Sequence, residues 1–263
     1  MDVVTGRICY EKIRPIGNGQ GMNSEVFLVK DTYTGRELAA KEIPKAQLKQ
    51  QFLNDYFTEA KAMSSARSHP NVVLIAYACD LKKKVCITMP YYKNGSLHDR
   101  IEGGPLPVAL VIKIVQDLLN GLSKIHQAGY VHFDIKPSNL LFSDNDTPMV
   151  ADFGQARAIA RSGIVDLPPL YPDGVPPEYY LNNAIGSNAT DIYHVGLLLY
   201  RALNGDPFYK RQVPSSDDEF ERMTVAGKFP DRNDYLPHIP RSLRTIIRKA
   251  LSIAIAHDFR TAA

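Results

Sequence analysis

The chain has 263 residues, 44% of them apolar and 22% charged, which is ordinary for a globular protein and enough to bury a core in one large domain or two small lobes. Its 31 Lys and Arg against 28 Asp and Glu leave a net charge of only +3, interspersed along the chain, so neither a nucleic acid nor an anionic membrane surface is expected as a partner. No apolar run approaches a membrane span, the richest being Val195 to Leu199, and MDVVTGRICYEK lacks the apolar centre of a signal peptide; any anchor is expected outside these residues.

The three cysteines, Cys9, Cys79 and Cys86, have no metal-type spacing and leave one unpaired in any disulfide scheme. Reduced thiols in a cytoplasmic setting are therefore expected. From Glu11 the chain reads EKIRPIGNGQGMNSEVFLVKD, an extended run, a glycine-rich turn and a strand from Glu25 to Lys30. Glycine lets a backbone come close to phosphate oxygens and turn its amides toward them. Glu37 to Ile43 reads as a further strand, and period two puts Ala39, Lys41 and Ile43 on one face, a lysine among apolar neighbours.

Between Gln50 and Arg67, Phe52, Leu53, Tyr56, Phe57, Ala60 and Met63 are spaced as one face of a helix, and Glu59 lies on the same stripe. A carboxylate held against a core needs a cation, since breaking a buried pair costs about 3–5 kcal/mol; Lys41 is the expected partner. His69-Pro70 ends this helix. Two strand-like runs, Val72 to Ala78 and Lys84 to Met89, then lead into PYYKNGSL, where Pro, Asn and Gly signal a change of direction.

Pro107 opens a helix predicted over Val108 to Gln127, with apolar residues almost all round it and burial expected on every side. It leads into YVHFDIKPSNLLFSDNDTPMVADFG, Tyr130 to Gly154, where the apolar runs Leu140 to Phe142 and Met149 to Ala151 flank SDND as a hairpin does. A hairpin returns the chain to its starting end, so Asn139 and Asp152 are expected side by side, with Asp134 and Lys136 close by. Two oxygen ligands that leave room for waters and phosphates suit Mg²⁺, and phosphoryl transfer is the chemistry that follows. Asp191 to Tyr200 reads as a buried helix ended by Asn204-Gly205, with Asp191 most simply its cap. Asp217 to Arg222 and Ser242 to Ala254 read as two more helices.

Asp134, Lys136, Asn139 and Asp152-Phe153-Gly154 together resemble the catalytic and metal-binding loops of eukaryotic-type serine/threonine protein kinases, and the compact loops resemble those of bacterial members. The resemblance covers nearly the whole chain in family order. Gly19, Gly21, Ser24 in the place of a third glycine, and Val26 match the glycine loop; ELAAKEI matches the Val-Ala-Ile-Lys strand, and Glu59 the helix glutamate paired with its lysine. Pro176-Pro177-Glu178 matches Ala-Pro-Glu, and Arg260 stands where the family keeps the arginine that pairs with that glutamate.

This resemblance implies an α+β, bilobal fold: a mainly β lobe with one helix over residues 1–89, a hinge over 90–95, and a mainly α lobe over 96–263. It implies ATP and Mg²⁺, with Mn²⁺ as a substitute, and protein substrates bearing Ser or Thr hydroxyls, the chain itself among them. In that arrangement Val26 and Ala39 roof the adenine, Leu141 lies beneath it, Met89 is the gatekeeper, and Tyr91 and Tyr92 meet the adenine edge. Lys41, oriented by Glu59, holds the α- and β-phosphates, while Asn139 and Asp152 hold the metal. Asp134 takes the substrate proton and Lys136 offsets charge on the γ-phosphoryl. In the family the counterpart of Asp191 also ties down the catalytic loop.

Three features depart from the pattern or qualify it. Phe133 replaces an arginine that in many kinases binds a phosphorylated activation segment, which implies activity independent of that switch. In the segment between Gly154 and Glu178, Ser162 and Tyr171 are the only hydroxyls, and Tyr171 stands where Ser/Thr kinases usually have Thr. Lys136 favours the Ser/Thr subclass. Two other readings stand beside this one, a small-molecule phosphotransferase of related fold and a pseudokinase acting as a nucleotide-binding interaction module. Oligomeric state is not legible.

Overall fold

Alternating, β-favouring residues in the first third of the chain pair into one antiparallel sheet. Its strands are β1 (Tyr10–Pro15), β2 (Glu25–Asp31), β3 (Glu37–Pro44), β4 (Tyr77–Asp80) and β5 (Lys84–Pro90), in the order β1-β2-β3-β5-β4. The computed structural model describes residues 8–17, 24–46, 57–66, 69–160, 163–170, 174–180 and 185–252.

β3 is the middle strand, paired along both edges, and residues on both of its faces are buried. Ala39, Ile43, Ile87 and Met89 face one core; Val29, Ala40 and Cys86 form a second, smaller one on the other side. Burial of both faces also takes in Glu42, which accepts bonds from Lys12 at 2.8 Å, Lys84 at 2.9 Å and the Tyr10 hydroxyl at 2.9 Å. Burial alone would raise its carboxyl; those three donors more than offset it and hold it at about 2. Against the larger core lies α1 (Thr58–Ala66), through Ala60, Met63 and Ala66. Phe52, Leu53 and Tyr56 of the predicted helix lie outside the described residues.

The strand expected over Val72 to Ala78 is corrected: β4 begins only at Tyr77. Val72 and Val73 are fully buried against the later hairpin instead, Val72 bridging in parallel to Val150 and the Val73 amide donating to the Val150 carbonyl at 2.9 Å. Apolar content there reflects contact with the second half of the molecule, not sheet pairing.

That second half is helical. α2 (Leu97–Ile101) starts from a reciprocal Ser96–Asp99 capping box, and α3 (Val108–Gln127) follows Pro107. α3 buries one stripe, Val111, Ile114, Leu118, Leu122 and Ile125, whereas Leu110, Ile112 and Leu119 are 37–39% exposed. The expectation of burial all round is thus corrected; the apolar excess on the outer side is surface. After it come three short two-stranded pairs: β6 (Tyr130–Val131) with β9 (Arg157–Ala158), β7 (Leu140–Phe142) with β8 (Pro148–Val150), and β10 (Val165–Asp166) with β11 (Ile185–Gly186).

α4 (Pro177–Tyr180) precedes the buried helix α5 (Asn188–Asn204), which ends at Gly205 with φ 83°. The cap of α5 is Ser187, in a box with Thr190, and Asp191 is released for other bonds. Among the described residues α6 (Asp206–Lys210), α7 (Asp217–Val225) and α8 (Arg241–Ala250) follow. No described helix is long and apolar enough to cross a membrane.

Candidate active site

Lys41 lies on the larger-core face of β3 and Glu59 in the first turn of α1, and the packing of that helix on that face brings them together. The Lys41 ammonium is 2.7 Å from Glu59 Oε1 and 2.6 Å from Asp152 Oδ1. One cation thus serves two carboxylates. Burial would depress the ammonium, but Asp152 and Glu59 outweigh it and its pKa is raised. Desolvation raises the Asp152 carboxyl, and the Lys41 charge outweighs that, holding it at about 2. Glu59, the more deeply buried partner, is pushed above the usual carboxylate range by burial, against the pull of Lys41. Gly154 lies close against this knot: a Cβ there would sit 3.2 Å from Asp152 Oδ1 and 3.4 Å from Lys41 Nζ.

Opposite it stands the loop between β6 and β7. The β7–β8 hairpin registers Leu140 on Val150, and the Ala151 amide donates to the Asn139 carbonyl at 2.9 Å, so Asn139 and Asp152 flank the same hairpin mouth. Asn139 Nδ2 donates to the Asp134 carbonyl at 2.9 Å and to Asp134 Oδ2 at 2.8 Å, and Lys136 Nζ lies 3.0 Å from the same carboxylate oxygen. With its nitrogen so used, Asn139 presents its amide oxygen. Asp152 uses Oδ1 for Lys41 and for the Gly154 amide at 3.2 Å, and its side chain is 44% exposed, so its second carboxylate oxygen is a further candidate ligand atom. An amide oxygen and a carboxylate oxygen are the donor set of a hard cation that draws its remaining ligands from water and phosphates; the residues present fit such a group.

Backbone strain concentrates at this centre. Phe133 has φ 62° and Asp152 φ 61°, left-handed values that cost about 1–2 kcal/mol for a residue with a Cβ. Asp191, fully buried, holds the first in place: it accepts from the Phe133 amide at 2.8 Å, the His132 amide at 2.9 Å and His126 Nε2 at 2.7 Å. Burial would raise its carboxyl, but the bond from His126 and the further donors more than offset that. His132, kept neutral by burial, donates from Nε2 to the Ala151 carbonyl at 3.1 Å, accepts at Nδ1 from the Asp134 amide at 3.2 Å, and sets its ring edge-on to Phe153.

Asp191, His126 and His132 are positioning residues; the family resemblance had implied that role for Asp191, and local pattern had implied it for none of the three. A legible signal existed for one of them, since the Ser187-x-x-Thr190 spacing already supplies the cap and leaves Asp191 without that task. His126 shows no comparable mark.

On the nucleotide side of the expected site, strand register sets Val26 opposite Lys41 and Ala39 opposite Met89, so Val26, Ala39 and Met89 share the Lys41 face. The segment after Pro90 turns at Gly95, φ 69°, whose carbonyl accepts from the Phe142 amide at 3.0 Å. Leu141 bridges Ser96 and is thereby tied to that segment. Tyr92 packs against the core, while the Tyr91 hydroxyl turns back toward β1 and accepts from Arg14 at 3.1 Å. Ser24 is half-buried at the entry to β2. Gly19 and Gly21 lie outside the described residues, as do Ser162, Tyr171 and Arg260.

Phe133 fills a defined slot. It is 1% exposed, and a Cβ on Gly186 would stand 2.5 Å from both Phe133 Cε1 and Leu167 Cδ2. The absence of that Cβ lets Phe133 and Leu167 meet beside β10 and β11. Gly186→Ala is expected to push Phe133, and with it the neighbouring Asp134, out of place: a stability loss of about 1–3 kcal/mol for overpacking and a fall in kcat of about tenfold. Thermal melts and initial rates check this, and the smaller ring slot of Gly186→Ala with Phe133→Leu is expected to recover part of both losses. A melting temperature that drops with kcat unchanged would separate Phe133 from the reaction.

A sheet lobe and a helical lobe carrying opposite halves of one site form the bilobal architecture of protein kinases. Residues 10–256 match the family model of the protein kinase domain, and the chain belongs to that family. It is 30% identical over 265 residues to the probable serine/threonine-protein kinase PknB of Lactococcus lactis, covering 95% of this chain and 40% of that protein. It is 31% identical to the serine/threonine-protein kinase drp72 of Corynebacterium efficiens, over 91% of this chain and 46% of the relative. With the CBL-interacting serine/threonine-protein kinase 20 of Arabidopsis thaliana it shares 27% identity over 87% of this chain and 52% of the other. The chain thus spans about half, or less, of the length of these curated relatives. Protein kinase domains as a class use ATP and a divalent cation.

Proposed function

We propose that this domain transfers the γ-phosphoryl group of ATP to Ser or Thr hydroxyls of proteins, its own included, with Mg²⁺ as the working cation and Mn²⁺ as a substitute. The observation that carries the reading is the Lys41 ammonium held between Glu59 at 2.7 Å and Asp152 at 2.6 Å, facing the loop of Asp134 and Asn139. Lys41 holds the α- and β-phosphates. Asn139 and Asp152 hold the cation, which when bound neutralises charge on the phosphates. Asp134 orients the acceptor hydroxyl and takes its proton as the new O–P bond forms and the bond to ADP breaks; Lys136 offsets charge on the phosphoryl in transit.

The adenine lies between Val26 and Ala39 on one side and Leu141 on the other, with Met89 as gatekeeper. Pro90 has no amide to offer, so the backbone of Tyr91 and Tyr92 supplies the polar edge contact. Gly19, Gly21 and Ser24 cover the phosphates. The lobes divide at 1–89 and 96–263, with 90–95 as hinge, a division supported by the confinement of the five-stranded sheet to Tyr10 through Pro90. Lys136 and the similarity to serine/threonine-protein kinases support Ser/Thr over Tyr as acceptor. The free thiols of Cys9, Cys79 and Cys86 support a cytoplasmic setting.

Incubation with γ-labelled ATP, Mg²⁺ and a generic protein acceptor tests the reading, with phosphoserine and phosphothreonine as the expected products. Nucleotide binding with no label on any protein would overturn it, and label on a sugar alone would point to a small-molecule acceptor. Because Phe133 offers no charge to a phosphorylated segment, Ser162→Ala is expected to keep activity within about tenfold of the parent. A larger loss, more than roughly 1.4 kcal/mol of barrier, would show that a switch at Ser162 operates by another route.

A further inference from the structure

The hairpin of β4 and β5 sets two thiols face to face. Leu81 and Lys84 exchange both backbone bonds across its turn, at 2.8 Å and 3.2 Å. Bonded pairs alternate along an antiparallel ladder, so Cys79 and Cys86, two positions further on and directly opposite in register, are a bonded pair as well. Cross-strand partners point to one face of the sheet, here the face of the smaller core. Cys86 is buried with Val29 and Ala40, and Cys79, only partly covered, packs against them. Their thiols hydrogen-bond to each other. Cys9 takes no part: it precedes β1 at the opposite edge of the sheet, and its Sγ accepts from the Tyr33 hydroxyl at 3.6 Å.

The backbone spacing suits a covalent link. A bonded antiparallel pair has Cα atoms about 5.5 Å apart, inside the range of about 4.4–6.8 Å that a disulfide spans. Facing Cβ atoms are about 5 Å apart, so closure draws them together by about 1 Å. Such strain makes a disulfide easy to reduce again, which is the property of a reversible link and not of a permanent staple. Closure also leaves Glu42 its donors, because the Tyr10 hydroxyl, 3.5 Å from Cys86 Sγ, gives its one proton to Glu42 at 2.9 Å. Burial pushes the Cys79 thiol up to about 11, with Cys86 and Asp80 adding to it. Burial and Glu42 push Cys86 up as well, against the pull of Tyr10 and Lys12. The thiolate is the attacking form, so the pair reacts slowly near pH 7 and answers sustained oxidation.

We propose that Cys79 and Cys86 are a site of reversible oxidation, a disulfide that ties the edge strand β4 to β5 when low-molecular-weight disulfides accumulate. The Cys79 thiolate, the more accessible, attacks one sulfur of the small disulfide; a mixed S–S bond forms, the small molecule's own S–S bond breaks, and one thiolate leaves. The Cys86 thiolate then attacks Cys79 Sγ; the Cys79–Cys86 bond forms, the mixed bond breaks, and the second thiolate leaves. The two protein thiol protons pass to the two released thiolates, so the protein loses two electrons and the small disulfide is reduced to two thiols. β4 is bonded to β5 alone, whereas β5 pairs on its other side with β3, where Ile87 lies opposite Lys41. The link therefore fastens the loose border of the sheet that carries the catalytic lysine.

The test incubates the folded full chain with excess glutathione disulfide at about pH 8, where more thiolate is present than at neutrality, and reads intact mass and peptide maps. The expected product has lost two hydrogens, retains no glutathione, contains a linked Cys79–Cys86 peptide with Cys9 free, and reverts with dithiothreitol. Cys86→Ala is expected to stop at glutathione on Cys79, and Cys79→Ser to leave Cys86 unmodified. Hydrogen exchange at the β4 amides is expected to slow about tenfold in the oxidised chain. Glutathione retained on Cys79 of the parent while Cys86 stays free overturns the proposal. So does a link to Cys9, a link that forms only in urea, or no loss of thiol. Exchange at β4 that the link leaves unchanged overturns its role as a tie. None of these readouts involves phosphoryl transfer, so the kinase reading stands or falls separately.

Discussion

Asp134→Ala is expected to lower kcat for phosphoryl transfer by roughly a thousandfold or more, with the KM for ATP nearly unchanged. A positioned general base contributes about 10²–10⁴ in rate, and the same carboxylate orients the acceptor hydroxyl, so both effects are lost together. ATP affinity is expected to survive because the Lys41 pairings with Glu59 and Asp152 do not involve Asp134. The fold is expected to survive as well. The Asp134 side chain is 13% exposed, and its partners Asn139 Nδ2 and Lys136 Nζ are at the cleft, where water can replace the carboxylate. Initial rates at saturating ATP together with a thermal melt check this. Label incorporation comparable to the parent's would remove Asp134 from the role of base.

Legibility from sequence followed the range of the interactions. The hairpin that brings Asn139 and Asp152 to one mouth is local, set by two apolar runs about a turn, and could be read directly. The approach of Glu59 to Lys41 is less local, yet two periodicities meet in it: period two put Lys41 on the inner face of β3, and the 3.6 repeat put Glu59 on the apolar stripe of α1. For Asp191 only the family resemblance pointed to the catalytic loop, and the local pattern, which read it as a cap, did not. Its partners, the amides of His132 and Phe133, are 59 and 58 residues away in the chain, and a carboxylate three residues into a helix also has a ready local explanation. The apolar surplus of α3 and the Val72 to Ala78 run misled in a related way, because composition reports that a residue can be buried without saying which neighbour buries it. Phe133 was visible as a departure, but its purpose needed Gly186 and Leu167, which no local pattern joins to it.

Lys41→Met is expected to abolish transfer to a similar degree and, unlike Asp134→Ala, to change stability in a pH-dependent way. The variant leaves Glu59 and Asp152 facing each other without the ammonium that bonds both at 2.7 Å and 2.6 Å. Removing one partner of a buried pair costs about 3–5 kcal/mol if the remaining charge stays ionised. Glu59 has an escape, because burial already holds its carboxyl above the usual range and loss of Lys41 raises it further; it can take up a proton and become neutral. A carboxyl whose folded pKa is above its unfolded value contributes stability below the unfolded pKa and loses it as pH rises through the folded one. The gap in melting temperature between parent and Lys41→Met is therefore expected to be small at about pH 5 and to widen toward about pH 8. Asp152 does not cancel this trend, since without Lys41 its own carboxyl also moves upward. Adding Glu59→Gln to Lys41→Met is expected to flatten the widening while transfer stays abolished. A gap that is constant with pH, or that narrows toward alkaline conditions, would show that the three charged groups are not coupled as their distances indicate.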